Sequence, residues 1–442
     1  MLYIFVYIIV LFVSYSLFKV ASGDMSLLRP NMLSLTYYGW LVGMCFTGPL
    51  LSLLGVENYA LRLASEESIE KAFFFTAYAM IAMPISMITC QKLLFNSSIK
   101  RKIKSFYESK ITPLQSPKDS AQIIYWSLIT AICLFGVLYV YSIITRTPII
   151  HLLLGGSPLE AARIRNTATF NYPGNVYVRN LIVMQILPLS SFVAYGYYKL
   201  YQKKSFKLWA LILFILGMLA VTYTGEKKPI VVYVLSFVII NSIIKGGFSK
   251  KNILLFIIVF ISIIYFLYYI SDGIVLSLYG GPLSRLIMVP SAGLAFTFDL
   301  FPQNIDFLYG ASFPGWMIEP FGLEHQRSSR LVMEAFDPTG GVEAGTAGVI
   351  NSLFIAEAWA NFGFAGALIS PFIVGFVLQS LYNYILSLGK TPVSIGLFTY
   401  FMFESYTVLG GFVDFLWNVG WIVILSTCII GVKYRYGTNT KI

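Results

Sequence analysis

The chain has 442 residues, 57% of them hydrophobic and 12% charged, with a formal net charge of +11 and a mean hydropathy of +0.75. Soluble domains carry roughly 25% charged residues, so a soluble enzyme or binding module is excluded and an integral membrane protein is indicated. The basic balance calls for no nucleic acid, because cytoplasmic loops of membrane proteins are rich in Lys and Arg.

The predicted architecture is all-α: a single polytopic membrane domain over residues 1–442. Apolar runs long enough to span a bilayer lie at 2–18, 33–54, 72–95, 121–145, 180–200, 208–224, 230–245, 253–270, 364–387, 394–409 and 416–432, about eleven transmembrane helices. Two shorter runs, 286–298 and 346–360, are interrupted by Gly or Pro and suit re-entrant or interfacial helices; if both cross, the count rises to about thirteen. The first run lacks the basic start of a signal peptide and is long enough to span, so it is retained as a helix. Cys45, Cys90, Cys133 and Cys428 all fall in apolar runs without CxxC spacing, which fits packing residues better than a zinc site or disulfide framework.

Orientation follows from the Lys and Arg residues. The 96–120 connection carries Lys100, Arg101, Lys102, Lys104, Lys110 and Lys118, and alternate connections carry Lys199, Lys203, Lys204 and Lys207, then Lys245, Lys250 and Lys251. Lys390 and the tail with Lys433, Arg435 and Lys441 fall on the same side, which the positive-inside rule makes cytoplasmic. The N-terminus is then outside and the C-terminus inside, leaving two large outer loops, 146–179 and 271–363. Basic residues there cannot be explained by topology: Arg163, Arg165 and Arg179 on the first loop, Lys227 and Lys228 in the hairpin "TGEKKP", and Arg285, Arg327 and Arg330 on the second. Guanidinium groups bind phosphate bidentately and stay charged, so a lipid diphosphate at the outer leaflet is the natural ligand.

In "SPLEAARIRN", Ser157, Pro158 and Glu160 read as a helix N-terminus with a capping box. That helix ends before "NYPG", where Pro173-Gly174 suits the centre of a type II turn. The structural alternative for Arg163 is an i, i+3 pair with Glu160. Ten residues separate Arg163 from Gly174, and ten separate Arg330 from Gly341, where "FDPTGG" supplies another Pro-containing turn.

At these residues the chain resembles the Wzy-type O-antigen and capsule polymerases, bacterial enzymes that join oligosaccharide repeat units. They have many spans and two large periplasmic loops, each with an Arg, ten residues, Gly element, matched here by Arg163 with Gly174 and Arg330 with Gly341. The stretch "AEAWANFGFAGALI" (356–369) also resembles the family's segment leading into a late span. The resemblance implies a multi-pass glycosyltransferase of the bacterial inner membrane. It would join undecaprenyl-diphosphate-linked oligosaccharides beside a chain-length regulator and a flippase of the same pathway. Arg163 or Arg165 and Arg330, with Lys227, would then stabilise the departing diphosphate. O-antigen ligase and a lipid-linked oligosaccharide flippase are the alternatives. The general base is open among His325, Glu324, Glu334 and Glu357; a carboxylate inside an apolar stretch, as Glu357 is, normally faces a cavity or a partner. His151 and His325 are the only histidines and no DxD motif occurs, so neither metal nor cofactor is expected.

Transfer by the purified chain should therefore persist in excess chelator. Complete loss of product, restored by magnesium, would contradict this reading.

Overall fold

The computed structural model describes residues 1–95, 98–113, 118–144, 146–169, 171–271, 277–345 and 347–433. Among these residues all regular structure is helical. Eight helices are long and apolar enough to cross a membrane: Leu2–Ser22, Glu66–Leu94, Asp119–Ile143, Val178–Tyr201, Lys204–Thr222, Lys227–Ile244, Ile355–Ser387 and Phe412–Ile429. A pair bent by 55°, Gly281–Ile287 and Val289–Leu300, raises the number to 9 if it forms one broken span. This pair covers the 286–298 run, in which a re-entrant or interfacial helix was expected.

Three of the four remaining expected runs take other forms. The 33–54 run is helical but changes winding, from Met32–Leu35 through a π-helical Thr36–Phe46 to Thr47–Leu53. The 253–270 run lies within the helix Lys250–Ser271. At 394–409 the α-helix Pro392–Glu404 has 13 residues, about 20 Å at the usual rise, and continues as the 3₁₀ turn Ser405–Leu409. The 346–360 run is no separate helix. Ser352 and Phe354 donate their N–H groups to the carbonyls of Leu409 (3.0 Å) and Val408 (2.8 Å), and only at Ile355 does a helix begin.

By its internal contacts the chain forms two compact units. The first comprises Met1–Lys104, Gly273–Tyr384 and Met402–Trp417. Its interior stacks Phe46 on Phe73 at 4.9 Å and sets the Phe298 ring edge-on to Trp359 at 4.9 Å. Trp359, half-buried, also donates Nε1–H to the Phe301 carbonyl at 3.0 Å, so the polar edge of this large ring is hydrogen-bonded. Close approach is purchased with missing side chains: a Cβ on Gly48 would lie 2.6 Å from the Ile287 carbonyl oxygen, and one on Gly293 would lie 2.9 Å from that of Asn351. Asp299 accepts both the N–H and the hydroxyl of Ser65, which in turn caps the N-terminus of Glu66–Leu94.

The second unit comprises Ser105–Asp272, Ile385–Phe401 and Asn418–Ile442. Three of the spanning helices, Val178–Tyr201, Lys204–Thr222 and Lys227–Ile244, meet there through the rings of Phe192, Phe214, Tyr233 and Phe237. Lys390, in the short connection before Pro392–Glu404, is buried and donates Nζ–H to the carbonyls of Tyr107 and Ser109, each at 2.8 Å. Burial disfavours its charged form and brings the ammonium down to about 8.

The helix Ile355–Ser387 is broken at Gly363, whose φ of 57° and ψ of −143° lie where L-residues are strained. A Cβ there would also meet the Phe307 ring at 3.0 Å. Gly363→Ala should lower unfolding stability by about 1–3 kcal/mol. An unchanged thermal midpoint in detergent would show that the break is not conformationally required.

Candidate functional site

The break at Gly363 determines what is built beside it. In a continuous helix the carbonyls of Ala360 and Asn361 would accept from residues 364 and 365. Here they accept instead from the N–H groups of Leu308 (2.8 Å) and Tyr309 (3.1 Å). The buried Asn361 side chain extends this docking: Oδ1 accepts from Gly310 N–H at 3.1 Å and Ser312 N–H at 3.3 Å, while Nδ2 donates to Ser312 Oγ at 3.0 Å and the Glu357 carbonyl at 2.8 Å. Ser312 donates its hydroxyl to the Gln326 carbonyl at 3.0 Å, and Gln326 donates N–H to Ala311 at 2.9 Å. The segment His325–Arg327 is thereby held to the helix that carries Glu357.

Glu357 is only 7% exposed. Its Oε2 accepts the Val413 N–H at 2.7 Å. Gly411, at φ 127°, makes room for the carboxylate, since a Cβ there would lie 2.6 Å from Oε2. The charges of Asp414 and Arg327 both act on Glu357, with opposite effect, and these two residues pair with each other at 2.7 Å (Nη2 to Oδ2). A cavity of ≈ 20 Å³ lies against the carboxylate, lined by Thr297, Ser328, Ser329, Ser352, Glu357 and Gly411 among others. That is room for one water. The buried Ser352 Oγ faces no hydrogen-bond partner among the described residues. The arrangement is a buried carboxylate and several hydroxyls around a water-sized space, with a second carboxylate and a guanidinium, paired with each other, acting on the first.

His325 is exposed and its Nδ1 lies 2.9 Å from the Phe313 carbonyl. Nδ1 is then the donor, which in the neutral ring leaves Nε2 as the acceptor. Arg330 is committed to contacts within its own unit: Nε to Glu334 Oε1 at 2.6 Å, and Nη1 to the carbonyls of Ala347 and Gly348, each at 3.1 Å. The pair with Glu334 is the structural alternative to a catalytic role. Gly341 acts on the same residue from the other side, its carbonyl accepting the Ala347 N–H at 2.8 Å. Asp337 closes the turn by accepting the N–H groups of Gly341 (2.7 Å) and Val342 (3.0 Å). The Arg330 to Gly341 spacing thus folds a loop onto the helix Ser328–Phe336.

In the second unit the equal spacing builds something else. Pro158–Thr169 is helical and ends before "NYPG" as expected, with Ser157 Oγ accepting the Glu160 N–H at 3.2 Å. Glu160, however, approaches His151 Nε2 at 3.4 Å rather than Arg163. Arg163 and Arg165 are exposed on this helix, and among the described residues neither side chain has an ion-pair or hydrogen-bond partner. Gly174 does not adopt the positive φ that a type II turn requires; its backbone instead packs against Ile143 and Tyr172, leaving no space for a Cβ. Arg179 is buried, donating Nη1–H to the Ala168 carbonyl at 2.6 Å and Nε–H to Asn180 Oδ1 at 2.8 Å, with its guanidinium 4.8 Å from the Tyr172 ring centre. It therefore caps the C-terminal turn of Pro158–Thr169. Lys227 and Lys228 open the helix Lys227–Ile244, and Arg285 is exposed on Gly281–Ile287.

Asp414, Asn361 and Asp337 were not singled out from the sequence. The argument applied to Glu357, a polar residue inside an apolar run, finds Asp414 in "GGFVDFLW" and Asn361 in "AEAWANFGF" equally well. Asp337 has no such signal, because an acid after a loop helix is ordinary. Among the described residues no group of three His, Cys, Asp or Glu side chains is placed to hold a metal ion. No protein-family model matches the chain, and no curated protein or solved structure matches it.

The two roles of Arg330 separate in stability. Glu334→Gln removes one half-exposed helical pair and should cost about 0.2–0.5 kcal/mol, whereas Arg330→Ala also strips the donor from two carbonyls and should cost about 1–3 kcal/mol. Equal unfolding midpoints for the two variants would show that the carbonyl contacts contribute nothing.

Proposed function

We propose that the chain is a membrane glycosyltransferase that polymerises oligosaccharide repeat units carried on undecaprenyl diphosphate, working at the outer face of a bacterial plasma membrane. The observation that carries the reading is the buried Glu357 carboxylate facing a water-sized cavity beside the Arg327–Asp414 pair. A glycosyl transfer without metal needs a proton acceptor near the attacking hydroxyl and cationic donors near the leaving diphosphate. The hydroxyl oxygen of the incoming unit bonds to the anomeric carbon of the growing chain, the bond from that carbon to the diphosphate oxygen breaks, and the hydroxyl proton passes to Glu357 through the water the cavity accommodates. Undecaprenyl diphosphate leaves. His325, with Nε2 free to accept, is the other acceptor on the same loop.

Within the first unit Arg327 is the cation that acts on Glu357; in the second unit the exposed arginines are the candidates for binding an anion. Arg163 and Arg165 have no partner of their own among the described residues, as a guanidinium awaiting a phosphate would. Arg330 has less to offer, since its contacts with Glu334, Ala347 and Gly348 engage much of its donor fork. The reading places the N-terminus outside and the C-terminus in the cytoplasm, in keeping with the distribution of Lys and Arg.

The test is the surface polysaccharide of a deletion strain. Chains shortened to one repeat unit support a polymerase; loss of all repeat units from the surface lipid supports ligase or flippase instead. On complementation at matched protein levels, Glu357→Gln should slow polymerisation by about a hundred- to ten-thousand-fold, the usual contribution of acid–base catalysis. Polymer of normal length from that variant would remove Glu357 from the chemistry.

A further inference from the structure

The first unit holds a second feature that the proposed reaction does not use. The last turns of Leu2–Ser22 and Glu66–Leu94 bring Lys19 and Lys92 to one groove, and the helix Ile99–Glu108 begins at its edge with Lys100. The groove encloses ≈ 630 Å³ and is lined by Lys19, Val20, Gln91, Lys92, Phe95 and Lys100 among others. Gly23 sets the position of the third lysine. At φ 76° it lets the start of Ile99–Glu108 close onto the end of the first helix, and a Cβ there would lie 2.7 Å from both the N and the Cα of Lys100. All three lysines are exposed, and among the described residues none has an ion-pair partner.

Ordinary helix electrostatics accounts for only part of this. A lysine in the last turn of a helix is favoured by the partial negative charge there, which suffices for Lys19 and Lys92 taken singly. Lys100 stands in the first turn of its helix, where the backbone already presents positive charge. Arg101 and Lys102 accompany it, and no acidic residue lies in that turn. Cations gathered at a helix N-terminus and around one groove repel each other unless an anion lies among them.

The geometry points to the headgroup phosphate of an anionic phospholipid as that anion. Charge complementarity supplies the phosphate contact, and the flanks of the groove supply the rest. Val20 and Phe95 line it at the ends of two helices able to span a bilayer, and Val20 is 60% exposed. A free phosphate would leave the exposed Val20 side chain uncovered. The site is independent of the glycosyl transfer proposed above, so either can fail without the other.

The test uses the full chain in nonionic detergent, titrated with short-chain phosphatidylglycerol or phosphatidylcholine while lipid retention is followed by native mass spectrometry and stability by thermal unfolding. Phosphatidylglycerol should be retained and should raise the midpoint, and phosphatidylcholine should do neither. Each lysine removed should weaken retention about fivefold, so that Lys19→Gln with Lys92→Gln and Lys100→Gln abolishes the preference. Equal effects of the two lipids, an unchanged preference in the triple variant, or the same stabilisation by inorganic phosphate alone would overturn the proposal. If the triple variant does not fold, Lys100→Gln alone must reduce phosphatidylglycerol retention severalfold; unchanged retention would overturn it too.

Discussion

Two backbone carbonyls, those of Ala360 and Asn361, organise the polar end of the first unit. A buried carbonyl without a donor costs free energy comparable to a lost hydrogen bond, and in apolar surroundings no water offsets it. Gly363 breaks the helix and denies both oxygens their usual donors. The chain responds by laying Leu308 and Tyr309 across the break. From that one docking event follow the position of Ser312, through it the backbone of Gln326, and next along the chain the Arg327 that pairs with Asp414. The helix break therefore places the charged residues.

A second constraint acts on Glu357. A carboxylate so enclosed is tolerated only with compensating contacts, and the structure provides them from the backbone. The N–H of Val413 supplies the hydrogen bond and the bare Cα of Gly411 supplies the space. The same glycine and Glu357 line a water-sized cavity.

The equal Arg to Gly spacings show how little a spacing constrains by itself. In the first unit, Arg330 and Gly341 converge on Ala347 and close a loop, with Asp337 capping the turn. In the second, Arg163 projects from a helix without partners among the described residues, while Gly174 packs at the far end of the connection and the buried arginine is Arg179. The difference lies in the neighbours. Glu334 is one turn from Arg330 on the same face, whereas the acid nearest Arg163, Glu160, is drawn to His151.

Sequence alone determined that the chain is helical and membrane-embedded, and it located most of the spanning segments, because burying a helix in hydrocarbon requires long apolar runs that any reader of the chain can find. It also located the helix Pro158–Thr169 and marked Glu357, since a capping residue and a carboxylate among apolar residues are local signals. Only the tertiary structure decided that residues 347–354 form no helix and that one begins only at Ile355, that Arg179 is a helix cap and Arg330 a loop clasp, and that Asp414 and Asn361 belong with Glu357. Those outcomes depend on which backbone groups a break leaves unpaired and which distant segment satisfies them. Such pairings join residues 308 and 360, or 357 and 413, and no periodicity or composition along the chain records them.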